Sequence, residues 1–353
     1  MAHSVNVKPA QIEGELDRIW EGLAKTNTVR ASLFNLIVFN RFSPRTDYVR
    51  TIVQKVIDRF PCRTLFISHD ASSSLSYVKT AVSVIAQEGK TDIACDAIDI
   101  GVAGSDWERV PYIIRPHILP DLPVHLLWAE DPTQNHPLFD PLMQMTTRVI
   151  FDSECAGDLK KFAKTVLSFQ SSRELADLNW VRLEGWRDLI ASTFETSEHL
   201  QRLKESSKLT LIYNSYKTES FCHLHIQSLY LLCWLSSRLS IPIGNLKEHQ
   251  GTFHLSWNKR GEATISPELW KDVHPGAVLF LDIAVEHIAQ IQVMRDQNNP
   301  DYATIHISTK EQCELPHHFV LGKTAVGQSL ASELFLKGTS PFFLETLQLL
   351  AKL

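Results

Sequence analysis

Short apolar runs alternate with helical repeats through the first half of this 353-residue chain, and this alternation constrains its fold most. Residues 33–39 (LFNLIVF) and 64–68 (TLFIS) have the length and composition of buried strands. Between them, apolar residues at helical spacing predict a helix over residues 47–60 that ends before Pro61. Strands that alternate with helices are typical of a mostly parallel sheet with helices on both faces.

Residues 77–86 and 93–102, still in the first half, predict an antiparallel strand pair joined by a turn at 87–91, so the first sheet is expected to be mixed. The second half of the chain follows a different pattern. After residue 171, short strands follow one another with short connections, as in an antiparallel sheet. We therefore predict an α/β protein with three parts: an N-terminal helical segment (1–29), an α/β domain whose mixed, mostly parallel sheet is flanked by helices (30–171), and an α+β domain with an antiparallel sheet (172–353).

Charge and composition narrow the class of partner. Lys and Arg number 35 against 40 Asp and Glu, and a formal charge of −5 is too mild to predict binding to nucleic acid or to an anionic membrane. The longest apolar runs have about seven residues, whereas a membrane-spanning helix needs ~18. No signal peptide is visible at the N-terminus. The six cysteines form no CxxC pair and are typical of reduced cytosolic thiols, so we expect a cytoplasmic protein.

The motifs that would carry catalysis are incomplete. Gly322-Lys323-Thr324 lacks the glycine five residues earlier that a phosphate-binding loop requires, because that position is His317. The sequence contains neither GxGxxG nor GxSxG. His223 and His225 are two apart at the start of a predicted helix (221–239), so their side chains point to different sides. We expect no catalytic residue, no metal site and no cofactor.

Tryptophan and arginine are concentrated in one predicted helix, residues 180–194. Trp180 and Arg187 are seven apart and share one face, while Arg182 and Trp186 are four apart and share another. Trp and Arg are enriched at the centres of protein interfaces. The alternative is that these side chains pack the helix between two domains, and the sequence alone leaves that choice open.

Several segments together resemble the OpcA family, the glucose-6-phosphate dehydrogenase assembly or effector proteins, in the same order along the chain. The most distinctive is DLNWVRLEGWR at 177–187. The others include RASLFNL at 30–36, FPCR at 60–63, LPDLPV at 119–124, VIFDS at 149–153 and WLSSRL at 234–239. The family's PVFLWW motif differs here, since His125 stands in place of its Phe, and Leu127-Trp128 in place of its paired Trp.

The resemblance implies a non-enzymatic protein that binds glucose-6-phosphate dehydrogenase and promotes its active state in the oxidative pentose phosphate pathway. The candidate interface or interdomain residues are Trp128, Trp180, Arg182, Trp186 and Arg187. One alternative is a binding protein or enzyme for a small ligand, such as a sugar phosphate, at the strand ends near residues 68–74, 128–131 and 152–154. In that case the Ser-rich stretch 71–76 is a candidate anion site. A scaffold for a different partner is a further alternative.

Overall fold

The computed structural model describes residues 4–24, 28–86, 93–219, 223–258, 261–285, 288–310, 313, 315–321, 334 and 338–353. The chain forms two compact units of interleaved segments. Unit 1 comprises Met1–Asp152, Phe169–Asp177 and Val326–Gly338, and unit 2 comprises Ser153–Ser168, Leu178–Ala325 and Thr339–Leu353. The sequence-based division at residues 29–30 and 171–172 stays a prediction, since compactness does not measure independent folding.

Unit 1 is built on a nine-stranded sheet in the described residues. Its strands are β1 (Val5–Val7), β2 (Val29–Arg30), β3 (Asn35–Arg41), β4 (Arg63–Asp70), β5 (Tyr77–Ala86), β6 (Ile93–Ala103), β7 (Val124–Trp128), β8 (Arg148–Phe151) and β9 (Glu174–Asp177). They lie in the order β1-β5-β6-β4-β3-β7-β8-β9, and β2 pairs with β6.

Six of these strands form a parallel core of doubly wound type. In sheet order they are β6-β4-β3-β7-β8-β9, and all neighbours in this run are parallel. Numbered by their order in the chain, they read 3-2-1-4-5-6, the order of dinucleotide-binding α/β folds. Strands β5 and β1 add an antiparallel edge. The predicted mixed, mostly parallel sheet is therefore confirmed.

The helices of unit 1 follow the apolar periodicity of the sequence. They are α1 (Ile12–Leu23), α2 (Arg45–Ile57), α3 (Val110–Ile114) and α4 (Phe139–Gln144). Helix α2 buries Val49, Ile52, Val53, Val56 and Ile57, which lie on one face at helical spacing. The sequence also predicts one continuous helix over residues 107–117, but in the structure α3 is short and flanked by 3-10 turns at Gly104–Arg109 and Arg115–His117. Pro116, which has no backbone N–H, explains the early end of this helix.

Unit 2 contains an eight-stranded sheet in the described residues. Its strands are β10 (Lys208–Asn214), β11 (Ile243–His249), β12 (Thr252–Trp257), β13 (Gly261–Glu268), β14 (Val278–Val285), β15 (Ala289–Arg295), β16 (Tyr302–Thr309) and β17 (His317–Val320). The order is β11-β12-β13-β10-β14-β15-β16-β17. The expected antiparallel sheet is confirmed, and the β10–β13 pair is its parallel exception.

The helices of unit 2 are α5 (Leu159–Ser168), α6 (Leu178–Arg182), α7 (Glu184–Thr193), α8 (Ser197–Lys204), α9 (Ile226–Leu239) and α10 (Pro341–Leu350). The single helix predicted over residues 180–194 is wrong, because the chain breaks into α6 and α7 at Leu183. Gly185 lies beside this break, where an added Cβ would be 1.9 Å from the Leu321 carbonyl oxygen. The helical spacing of apolar residues does not indicate such a close approach of two backbone segments. The sequence also predicts a helix over residues 329–336. Like the predicted turn at 87–91, it lies outside the described residues, apart from Leu334.

Candidate functional site

The strand order of the unit 1 sheet reverses between β3 and β7. In open α/β sheets, ligands bind in the crevice outside the carboxyl ends of the strands at such a reversal. Here β3 is followed by the turn Phe42-Ser43-Pro44 and helix α2, and β7 is followed by Ala129, Glu130 and Asp131. We call residues 40–46, 69, 128–131 and 136 the switch-point edge.

The turn after β3 has its backbone donors already engaged. Pro44 has no N–H. The N–H groups of the other residues from Arg41 to Thr46 donate, in chain order, to Glu130 Oε1 (2.8 Å), the His69 carbonyl (2.8 Å), Thr46 Oγ1 (3.1 Å), Ser43 Oγ (3.2 Å) and the Ser43 carbonyl (2.9 Å). The turn is closed by hydrogen bonds within the chain.

Carboxylates balance the arginines of this turn. Arg45 forms an ion pair with the fully buried Asp152, and Arg41 Nε lies 3.9 Å from Glu130 Oε2. Burial raises the pKa of Glu130, and the hydrogen bond from the Arg41 N–H partly opposes that rise. The switch-point edge therefore carries no excess of positive charge that would bind a phosphate group.

Aromatic and histidine rings fill the space beside β7. Trp128 is 1% exposed and stacks on Phe39 with ring centroids 4.2 Å apart, and His136 lies 4.6 Å from Phe39. His136 Nε2 is 3.1 Å from His69 Nδ1. Burial lowers the pKa of His136 to about 4 and also lowers that of His69. At neutral pH both rings are uncharged, so the N–H of one ring donates a hydrogen bond to the unprotonated nitrogen of the other.

These residues do not fit a dinucleotide. The pyrophosphate of such a cofactor needs a glycine-rich first turn, for close backbone approach, and free N–H groups at the start of the following helix. This turn reads Asn-Arg-Phe-Ser-Pro-Arg from residue 40 to 45, without glycine, and Glu130 accepts one of its N–H groups. We derive no chemical step through such a cofactor.

A cavity of about 330 Å³ lies next to this edge, at the carboxyl ends of β4 and β6. Its polar lining includes Asp70, Asp99, Arg50, Lys79 and Tyr77. Arg50 Nη2 pairs with Asp99 Oδ1 at 2.7 Å, and the Asp70 carboxylate accepts the Tyr77 hydroxyl at 3.0 Å. Hydroxyl and N–H groups of the Ser-rich stretch 71–76 bind the same Asp70 carboxylate. Because the lining holds charges of both signs and Arg50 is already paired with Asp99, it suits a neutral polyhydroxyl ligand better than an anion.

A charge-balanced cluster closes the opposite, amino-terminal edge of the sheet. Asp96, which is 1% exposed, accepts hydrogen bonds from Trp20 Nε1 (2.8 Å), Arg30 Nη2 (2.8 Å) and Arg63 Nη2 (2.6 Å). Burial opposes ionisation of Asp96, but these donors hold its pKa below the usual value. Glu13 binds Arg63 at 2.9 Å beside a cavity of about 520 Å³. Arg30 and Arg63 belong to the segments RASLFNL and FPCR.

The other candidate interface residues lie in unit 2. Trp180 and Arg182 are in α6, and Trp186 and Arg187 are in α7. The Arg187 guanidinium lies 3.8 Å from the centroid of the Trp180 ring and donates to the Trp180 carbonyl, so the structure brings these two side chains together. Trp180 is 2% and Trp186 1% exposed, whereas Arg187 is partly exposed. Contact of any of the five residues with a partner stays a prediction.

Sequence reasoning missed a buried polar network around α6. Arg182 pairs with the buried Glu154 and also donates to Asn179 Oδ1 at 3.0 Å. Asn179 Nδ2 donates to Ser153 Oγ at 2.9 Å, and Gln227 Nε2 donates to Asn179 Oδ1 at 3.1 Å. Asn179 lies inside the DLNWVRLEGWR segment. The signal for this network in the sequence was a polar residue between two apolar ones, Leu178 and Trp180.

Thiols and metal ligands complete the inventory. Burial raises the pKa of Cys62, that of Cys95 to about 11 and that of Cys233 to about 12, so these thiols stay protonated. Cys222 and Gly322-Lys323-Thr324 lie outside the described residues. His223 and His225 have ring centroids 5.6 Å apart. Within the described ranges, no group of three or more His, Cys, Asp or Glu residues could hold a metal ion, and no helix is long and apolar enough to span a membrane.

Comparison with known families gives two consecutive matches. A family model described as the glucose-6-phosphate dehydrogenase subunit N-terminal domain, of the OpcA type, matches residues 53–167. The model for the corresponding C-terminal domain matches residues 173–347. Together the two matches cover most of the chain and follow the order of the segments noted in the sequence.

Curated relatives carry the same family name. The OxPP cycle protein OpcA of Nostoc punctiforme is 28% identical over 224 residues, which are 62% of this chain and 45% of the relative. The protein of that name from Synechocystis sp. is 28% identical over 187 residues, which are 51% of this chain and 37% of the relative. The chain thus spans less than half the length of these relatives.

Solved structures share the fold at very low identity. The 3-ketoreductase KijD10 from Actinomadura kijaniata matches with a TM-score of 0.55 and 9% identity, covering 91% of this chain and 95% of that one. A levoglucosan dehydrogenase matches with a TM-score of 0.51 and 10% identity, covering 91% and 94%. At this identity the likeness is evidence for the fold alone.

Proposed function

Because this chain belongs to the OpcA family, we propose that it is a non-catalytic cytoplasmic protein that binds glucose-6-phosphate dehydrogenase and promotes its active state. The observation that carries the proposal is the pair of family matches over residues 53–167 and 173–347. The curated relatives are named for the oxidative pentose phosphate cycle, and we assign this chain to the same pathway.

The switch-point edge supports a role without catalysis. Solved structures of this fold include reductases and dehydrogenases. In this chain the corresponding first turn has no glycine, and its N–H groups are bonded internally. A protein that acts through binding needs an interface and no cofactor, so the absence of glycine and of free N–H groups in this turn is compatible with the proposal.

The energy required of such a protein is modest. An effector shifts an equilibrium only by the difference between its affinities for the active and inactive states. A coupling free energy of about 1–3 kcal/mol changes the population ratio about 5- to 150-fold. Differential contacts at a single protein interface are sufficient for a coupling of that size.

The test combines activity and binding. The purified chain is mixed with glucose-6-phosphate dehydrogenase from the same organism, and NADPH formation is followed while substrate concentration is varied. We expect co-elution and a higher apparent substrate affinity or maximal rate, and no turnover by the chain alone. Absence of both binding and a kinetic effect would refute the proposal, and turnover by the isolated chain would refute its non-catalytic part.

Arg187→Ala is the most informative interface variant, because Arg187 is the partly exposed member of the candidate set. We expect it to weaken binding to the dehydrogenase while the chain stays folded, and the exposed Arg18→Ala serves as the matched control. Trp186→Ala removes a side chain that is 1% exposed and is expected to cost about 3–5 kcal/mol of stability. If Arg187→Ala binds as tightly as the wild type, Arg187 is not in the interface.

The 330 Å³ cavity favours one second candidate, a small-ligand binding protein. Carboxylates and hydroxyls line it at the carboxyl ends of β4 and β6, where ligands of open α/β sheets bind. Thermal-shift measurements with free sugars and with their phosphates test this reading. Stabilisation by either class at millimolar concentration supports it, with the free sugar expected to bind better, and no shift with any of them contradicts it.

A further inference from the structure

Three of the segments that resemble the OpcA family border the 520 Å³ cavity at the amino-terminal edge of the first sheet. Among the lining residues, Arg30 and Ser32 belong to RASLFNL, Arg63 to FPCR, and Leu119 and Leu122 to LPDLPV. These segments lie far apart in the sequence. They meet because each leads into one of the adjacent parallel strands β3, β4 and β7. The features that mark the family in the sequence therefore converge on one surface of unit 1.

Part of the cavity wall and its rim is apolar. Ile118 and Leu119 line the cavity and are half-buried. Val29 and Leu33, at the two ends of the lining stretch 30–32, are 58% and 47% exposed. Isolated exposed apolar residues are ordinary on a protein surface, whereas apolar residues grouped around a cavity are typical of an interaction site.

The charged part of the lining is neutral as a whole. It carries two arginines and two carboxylates, which are Arg30, Arg63, Glu13 and Asp96. Arg63 donates five hydrogen bonds, to Asp96, to Glu13 and to a backbone carbonyl, so its N–H groups are all engaged. The cavity therefore favours a neutral occupant over an anion or a cation.

The same lining nevertheless has hydrogen-bond donors to spare. Arg30 donates three hydrogen bonds, to Asp96 and Asp17, and two of its five N–H groups have no acceptor among the described residues. Ser32 also forms no hydrogen bond in the described part of the chain, with either its hydroxyl or its backbone. A fitting occupant supplies neutral acceptors, and the backbone carbonyl oxygens of a peptide segment are acceptors of this kind.

Both parts of the wall are held in place by the fold. The fully buried Asn35 donates to the Leu119 carbonyl at 3.1 Å and accepts from the Leu119 N–H at 2.8 Å. Its own N–H donates to the Pro123 carbonyl at 2.8 Å. Arg30 is held by Asp96 at 2.8 Å, and its guanidinium lies 5.6 Å from the centroid of the Trp20 ring. A site that is formed before binding loses little conformational entropy when it is occupied.

We propose that this cavity, with Val29 and Leu33 on its rim, is the surface that binds a neutral, apolar segment of glucose-6-phosphate dehydrogenase. The partner is the one assigned under the proposed function, on which this inference rests, because the segments that mark the family converge here. Apolar side chains of the enzyme segment pack against Leu119 and the rim, and its backbone carbonyls accept hydrogen bonds from Arg30 and Ser32. Arginine is enriched at the centres of protein interfaces.

A matched pair of variants tests the proposal. Leu33→Glu places a charge on the apolar rim, and we expect the dissociation constant for the dehydrogenase to rise by about tenfold or more. Leu75→Glu makes the same change at a 72%-exposed position, at the opposite edge of the same sheet, and should bind like the wild type. Val29→Glu is a second rim variant and should weaken binding as well. Calorimetric titration of each full chain with the enzyme measures affinity, and far-UV circular dichroism checks folding.

Amide hydrogen exchange of the wild-type chain locates the contact independently. The dehydrogenase should slow exchange in peptides that cover residues 29–33 and 116–122, and leave a peptide that covers 71–76 unchanged. The unbonded N–H of Ser32 should exchange quickly in the free chain and more slowly in the complex.

The outcomes separate this inference from the proposed function. If the wild-type chain binds the enzyme and both rim variants bind equally well, this surface is not the contact, while the proposed function stands. If the wild-type chain does not bind the enzyme at all, both fail. If the wild-type chain self-associates, and Leu33→Glu abolishes that association but still binds the enzyme, a second copy covers the cavity and the inference is wrong.

Discussion

Replacing His125 by phenylalanine is expected to remove part of the acid sensitivity of this protein. His125 lies on β7, is 5% exposed, and packs edge-on against Phe34 with ring centroids 5.5 Å apart. Neither of its ring nitrogens has a hydrogen-bond partner in the described part of the chain. Burial and, to a smaller extent, the nearby Arg148 lower its pKa to about 4, while Glu174 acts in the opposite direction.

The sign and size of the effect follow from proton linkage. An unfolded chain has a histidine pKa of about 6.5, so between pH 6.5 and 4 the unfolded state binds more protons than the folded state. The stability associated with neutral His125 is therefore complete above pH 6.5 and is lost as the pH falls towards 4. Between pH 7 and pH 5, a pKa of about 4 corresponds to a loss of about 2 kcal/mol.

Urea unfolding followed by tryptophan fluorescence measures this loss. We expect the stability of His125→Phe relative to wild type to increase by about 2 kcal/mol between pH 7 and pH 5. Other titrating groups, such as His136 and His225, contribute equally to both proteins and cancel in the difference. The control His249→Phe replaces an exposed histidine and should leave the pH dependence unchanged. A relative change below about 0.5 kcal/mol would show that His125 is not a buried neutral base.

Further predictions concern stability and association. Arg182→Met should cost about 3–5 kcal/mol in urea unfolding, because it leaves the buried Glu154 without this ion pair. Arg238→Met breaks an exposed pair of 3.9 Å and should cost no more than about 1 kcal/mol; equal losses in the two variants would contradict the buried role of Arg182. Gly185→Ala should lower the melting temperature, since its Cβ would meet the Leu321 carbonyl oxygen at 1.9 Å, whereas the unobstructed helical Gly22→Ala should raise stability by up to about 1 kcal/mol. A Gly185→Ala variant as stable as wild type would refute the close approach. Activation of glucose-6-phosphate dehydrogenase completes the set, with the readout described above.

The sequence contains enough local information to predict the type of each sheet, mostly parallel in unit 1 and antiparallel in unit 2. The pattern of apolar residues predicts β3, α2 and β4, because the residues that each element buries follow one another at a short, regular spacing along the chain. It fails at residues 180–194, where the backbone of Gly185 approaches Leu321, and at β11, whose residues are mostly exposed or half-buried and give no alternating pattern.

Some features of the candidate site can likewise be predicted from the sequence, and others depend on the tertiary structure. The absence of glycine in the turn after β3 is visible in the sequence and already disfavours a dinucleotide. Tertiary structure decides which groups meet. Glu130 accepts a hydrogen bond from the Arg41 N–H, and Asp96 accepts hydrogen bonds from Trp20, Arg30 and Arg63. These partners are separated by 33 to 89 positions in the chain.

Local periodicity therefore determined which segments become strands and helices, since the free energy of burying one face acts on neighbouring residues. Which polar groups meet at the two edges of the first sheet depends on strand order and register. Strand order and register arise from contacts between distant segments, and a periodic pattern within one segment does not encode its partner.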